Sequence, residues 1–94
     1  PALASLERAR QIFAAKAAAE PANRTARRDL AVALGRMGDA HLRGTGRYAE
    51  ALRHYRAAHG MFDALAREVP DHAELQRSRT YARVTIGQIH VRLG

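Results

Sequence analysis

Set against itself at an offset of 49 residues, the chain matches itself at twelve of the 45 pairs formed by positions 1–45 and 50–94. A composition this rich in Ala and Arg gives roughly four or five by chance. Five of the identities are alanine pairs and weigh little. The other seven are Leu3/Leu52, Phe13/Phe62, Pro21/Pro70, Arg28/Arg77, Gly38/Gly87, His41/His90 and Arg43/Arg92. Proline and glycine both punctuate the backbone, so their joint recurrence marks one structural unit used twice. A unit of this length cannot bury its apolar face alone, which restricts the fold to stacked units sharing a continuous core.

Each unit reads as two helices. From Tyr48 to Val69 the apolar or small residues Ala51, Leu52, Tyr55, Ala58, Phe62, Leu65 and Val69 follow steps of three and four, a single stripe along a helix. Pro70 ends it, and Asp71 with Glu74 three residues on reads as an N-cap with its reciprocal partner. The next helix places Leu75, Ala82, Ile86, Ile89, His90 and Leu93 inward. In the earlier copy Leu3, Leu6, Ala9, Phe13 and Ala17 form the first stripe and Pro21-Ala22-Asn23 the break. Leu30, Leu34, Met37 and His41 form the second stripe, and Gly44-Thr45-Gly46 turns the chain into the Tyr48 helix. The predicted helices span 2–19, 23–43, 47–69 and 72–93, and their short links force antiparallel neighbours. Sustained period-two alternation is missing, so strands are not expected. One all-α domain of antiparallel helix-turn-helix repeats over 1–94 is the expected architecture.

Composition narrows the chemistry. Without cysteine there are no disulfides, thiolate metal sites or cysteine nucleophiles. No stretch approaches the roughly 18 apolar residues of a membrane span. Glu7, Arg8, Arg10 and Lys16 interrupt the N-terminal segment as a secretory leader would not allow, and the expected location is the cytoplasm. Sixteen basic against nine acidic residues give a net charge of +7, a balance that favours anionic partners. Fifteen of the sixteen are arginines, spread from Arg8 to Arg92 over every predicted helix.

The residues resemble the tetratricopeptide repeat family. A unit of that family has a small residue in its first helix, A, where the two helices cross, and an Ala, an aromatic and an Ala along its second, B. Gly38 and its repeat mate Gly87 resemble the first; Ala51, Tyr55 and Ala58 resemble the others, once one inserted residue in Gly44-Thr45-Gly46 is allowed. Helices approach closely only where side chains are small, and the aromatic fills the wedge alongside. The match is nearer to a long bacterial variant with a period of about fifty residues. Glu20-Pro21-Ala22-Asn23, Arg28-Asp29-Leu30-Ala31 and Met37-Gly38-Asp39 carry that likeness. The second copy departs from it, with Ser78-Arg79 for Asp29-Leu30 and Gln88 for Asp39. Arg79 falls on the expected inner stripe, which predicts fraying there or a stripe rotated toward Tyr81. The phase runs B, A, B, A from a first residue, Pro1, that is not methionine. It predicts an excerpt of a longer array, or ends covered by self-association through the exposed terminal helices.

The resemblance implies an α–α superhelix that acts as a protein-interaction scaffold or regulatory module, often beside signalling domains, with a groove lined by the A helices. Outward positions paired by the repeat are Arg28 with Arg77, Asp39 with Gln88 and Arg43 with Arg92. Recurring arginines suit the carboxylates of an acidic peptide, which they bind bidentately; the plain alternative is solvated surface arginine. The chaperone-tail clamp of some relatives wants Lys and Asn where Gly35, Val84, Asp39 and Gln88 stand here, so that ligand is not expected. No metal site is expected of the histidines: His41 and His90 sit at packing positions, and His54 and His59 diverge by about 140° on a helix. Ser5 and Ser78 lie in no strand–turn–helix elbow, and Gly44-Thr45-Gly46 lacks the lysine of a phosphate loop, so neither an enzyme nor a cofactor is expected. Nucleic acid is the rival partner. The tyrosines do not interleave with the arginines as a stacking platform requires, which makes it the less expected one.

Overall fold

A computed structural model describes residues 2–93 and contains four α-helices: α1 Ala2–Ala19, α2 Arg24–Ala40, α3 Tyr48–Glu68 and α4 Ala73–Leu93. Pro1 and Gly94, the outer ends of the repeat alignment, lie outside the described residues. Each helix packs on the next in sequence, α1 on α2, α2 on α3 and α3 on α4. The chain is all-α, and no strand occurs among the described residues. Contacts between opposite ends establish the antiparallel order. Arg24 and Arg27 at the start of α2 meet Glu68 at the end of α3, and Arg56, early on α3, reaches His90, late on α4. The helices form a slab of 37 × 29 × 16 Å.

Two clusters make the core. Ala31 of α2 packs with Ala58, Phe62, Leu65 and Ala66 of α3 and Leu75 of α4; nearer the other end Ala51, Leu52, Tyr55 and Ile89 gather, flanked by Leu42, Tyr48 and Ile86. The stripe expected on α3 is therefore the centre of the molecule. Gly38 sits where α2 crosses α3: a Cβ added there would stand 3.0 Å from the Tyr55 ring. The α1 stripe is real but only half covered, since no described α1 side chain is fully buried.

Four local expectations are corrected. The helix expected over 23–43 keeps α-helical geometry only to Ala40, and His41–Thr45 continues as a wider turn of π-helical bonding. Gly44 and Thr45, expected to form a turn, thus belong to the helix end, and Gly46 closes it. Gly46 then adopts φ +65° while its N–H and that of Arg47 both reach the His41 carbonyl. That backbone conformation selects glycine.

The cap of α4 is His72 and not Asp71: the ring Nδ1 accepts from the Leu75 N–H at 3.3 Å. Glu74 turns outward to Arg28, 2.6 Å away. Asn23 caps α2 by accepting from the Ala26 N–H at 3.0 Å. Arg79 neither frays α4 nor rotates its stripe onto Tyr81. Its guanidinium meets Asp63 of α3 at 3.3 Å and the Gln76 side chain at 2.6 Å. The inward residues of α4 are Leu75, Ala82, Thr85 and Ile89, while His90 and Leu93 are exposed. Thr85 is accommodated because its hydroxyl donates to the Tyr81 carbonyl one turn back, at 2.8 Å.

Glu68 fastens the α2–α3 end. The hydrogen bonds from Arg27 and then Arg24 hold its carboxyl at about 2, below the ordinary 4.5. A carboxyl depressed in the folded state adds stability above its unfolded value, and that contribution is lost as pH falls through the folded value. Between about pH 4.5 and 2 the wild type is therefore expected to lose more stability than Glu68→Gln. Thermal melts of both proteins across that range check this; parallel curves would show that the ion pairs contribute nothing in solution.

Candidate functional site

The antiparallel arrangement brings α2 and α4 side by side above α3, and the space between them is a cleft of about 320 Å³. Its floor is apolar: Tyr55, Ala58 and Phe62 rise from α3, and Val32 and Gly35 of α2 face Ala82 of α4. Gly35 matters here because its missing side chain leaves open space; a Cβ would meet nothing within 4 Å. The rim is polar, with Arg36 and Asp39 on α2 and Arg77, Ser78 and Tyr81 on α4.

Asp39 organises the rim. Its carboxylate accepts from the Tyr55 hydroxyl and, at 3.0 Å, from the Tyr81 hydroxyl. The two rings meet edge to face, with centroids 6.5 Å apart. Burial, then the Asp39 hydrogen bond, pushes the Tyr55 hydroxyl well above its ordinary value, so it remains a donor. One carboxylate thus ties three helices at the mouth of the cleft. Arg36 and Arg77 by contrast are exposed and make no ion pair among the described residues. Two solvated guanidiniums beside an apolar floor can hold a carboxylate whose neighbouring side chain is apolar.

The six positions expected to face outward are divided by the structure. Asp39 and Arg77 line this cleft. Gln88 and Arg92 border a smaller one of about 240 Å³ with Leu42, Tyr48 and Ile89, and the Arg92 guanidinium stands 6.0 Å from the Tyr48 ring centroid. Arg28 is engaged with Glu74 at 2.6 Å and lies 3.9 Å from Asp29. Arg43 is exposed on the wide turn and does not line the central cleft. Of the crossing positions, Ala51, Tyr55, Ala58 and Gly38 are buried, whereas Gly87 is exposed and faces open space. Arg36 and Tyr81 also line the cleft, and neither is among the positions expected to face outward. The signal for Arg36 is its spacing, four residues after Val32 and three before Asp39, which sets it on their side of α2.

The histidines do not converge on a metal. No group of three or more His, Cys, Asp or Glu side chains suited to one occurs among the described residues. His41 and His54 stack with centroids 5.1 Å apart; burial, then the neighbouring His54, holds the His41 imidazole below its ordinary value. His90 is exposed, its Nε2 3.0 Å from the Arg56 guanidinium. No described helix is long and apolar enough to cross a membrane. Comparison of the chain with family models, with curated proteins and with solved structures finds no match.

Proposed function

We propose that the chain is a protein-interaction module of helical repeats, resembling the tetratricopeptide kind, that holds a peptide segment in the cleft between α2 and α4. The reading is carried by the union of an apolar floor with two uncompensated arginines, Arg36 and Arg77, at one rim. Such a site takes a segment with one aliphatic or aromatic side chain directed at Phe62 and a carboxylate directed at the arginines. Its polar groups fix orientation, and the apolar floor supplies most of the affinity. Recognition rather than catalysis is the role, within a larger signalling or regulatory assembly in a bacterial cytoplasm.

Selection of displayed random peptides on the wild-type chain, with Arg36→Glu/Arg77→Glu as the counter-target, tests it. The expected enrichment is for an apolar residue within two positions of Asp or Glu. Binding should weaken at least tenfold in the double variant, with its melting temperature unchanged. Peptides that bind both proteins alike would overturn the reading. So would single-stranded RNA binding at 150 mM salt that the same double variant abolishes, since that result would assign the arginines to phosphates.

A further inference from the structure

The central cleft has a partner that is half built. A second cleft, about 270 Å³, opens between α1 and α2, lined by Leu6, Ala9 and Phe13 on one side and Arg28, Asp29 and Val32 on the other. Advancing each by 49 positions gives Tyr55, Ala58 and Phe62, then Arg77, Ser78 and Tyr81. Those six residues are the α3 and α4 walls of the central cleft. What the second cleft lacks is the third wall, the side of a helix that Val32, Gly35 and Asp39 supply in the first. The chain carries that wall once more, on α4, at Tyr81, Val84 and Gln88. All three are exposed there.

The same offset accounts for three of the exposed hydrophobic residues, Val91, Ile12 and Tyr81. Val91 is 81% exposed and Ile12 60%, whereas their repeat mates Leu42 and Met61 pack against the core. Tyr81, 49% exposed, corresponds to Val32, which is also packed. Gly38 touches the Tyr55 ring, and Gly87 has nothing within 4 Å. The outer face of α4 is thus a copy of the α2 face that binds α3, and α1 is a copy of α3. Each is without its counterpart among the described residues.

We infer that the α4 face of one copy docks the α1 face of a second copy, as α2 docks α3, and that the junction completes a second cleft from both chains. Gly87 lies over Leu6 of the neighbour in the way Gly38 lies over Tyr55, and Val91 and Ile12 leave water. The contact joins two different surfaces, so it propagates head to tail rather than closing a symmetric dimer. It is a weak contact by construction. Arg83 stands where α2 has Leu34, and Lys16 where α3 has Leu65, so like charges oppose the apolar docking and added salt strengthens it. The use of the second cleft as a binding site rests on the groove reading above. The docking does not.

Sedimentation equilibrium of the 94-residue chain, from micromolar to about 1 mM and at low and high salt, tests the docking without any ligand. The expected result is a weight-average mass that climbs continuously from 10.3 kDa with concentration, and more steeply at high salt. Gly87→Gln adds a side chain where the single chain has open space, so it folds normally; it is expected to remain at 10.3 kDa throughout. A wild type that stays at 10.3 kDa to the highest concentration overturns the inference, as does association that persists in Gly87→Gln. Association that stops at a dimer overturns it too.

Discussion

Ala58→Glu is expected to lower the melting temperature by about 15–30 °C, or to leave the protein unfolded near ambient temperature. Ala58 is 1% exposed and packs with Ala31, Phe62 and Leu65 at the centre of the larger cluster. A carboxylate there has no partner within the cluster and either loses its charge or displaces the helix. An uncompensated buried charge costs about 4 kcal/mol. A chain of this size has roughly 5–14 kcal/mol of total stability, so the loss is a large share of the whole. Ala57→Glu is the control, because Ala57 is exposed on the same helix turn, and surface substitutions stay within about 0.5 kcal/mol. Circular dichroism melts of the two variants should separate widely. If Ala58→Glu melts beside Ala57→Glu, Ala58 is not at the helix crossing.

Gly38→Leu and Gly87→Leu are expected to change stability in opposite directions, although the two glycines are repeat mates. At Gly38 even a methyl group stands 3.0 Å from the Tyr55 ring. That ring cannot retreat: it is 1% exposed and its hydroxyl is held by Asp39. Forcing a leucine into the crossing costs about 3 kcal/mol or more, set against a helix-propensity gain of about 1 kcal/mol. At Gly87 the propensity gain stands alone, because nothing lies within 4 Å. Urea unfolding of the two variants at one low micromolar concentration measures both. Equal effects would mean that α2 and α4 have the same surroundings, and the repeat would then say nothing about which face is covered.

The helices were legible because each is written twice over, in an apolar stripe and in the punctuation that stops it. Phe13 and Phe62 both fall on apolar stripes; Phe62, like Ala51 and Ala58, is buried, whereas Phe13 is only half-buried. What could not be read was which side chain takes up a contact when two candidates stand close, across helices or within one turn. Arg79 looked like a defect in the α4 stripe, and Asp63, sixteen residues away on α3, makes it a tie. Asp71 has the better composition for a cap, yet the ring of His72 is the one placed to accept. The cleft was half visible. Asp39 and Arg77 were found through the repeat, but Arg36 corresponds to Thr85, which is buried, so pairing by repeat passed over it. Arg28 and Arg77 are identical in sequence position and unequal in space, since Glu74 neutralises only the first.

The wide turn at His41–Thr45 has a consequence for how chains of this sort are measured. An extra residue placed in a loop changes only the loop. Placed inside the last turn of a helix, it is taken up by one broadened ring of the backbone, and everything before it keeps its orientation. Gly38 therefore faces the Tyr55 ring across that turn. Residue number along such a chain is an elastic ruler, and units of unequal length can share one spatial period.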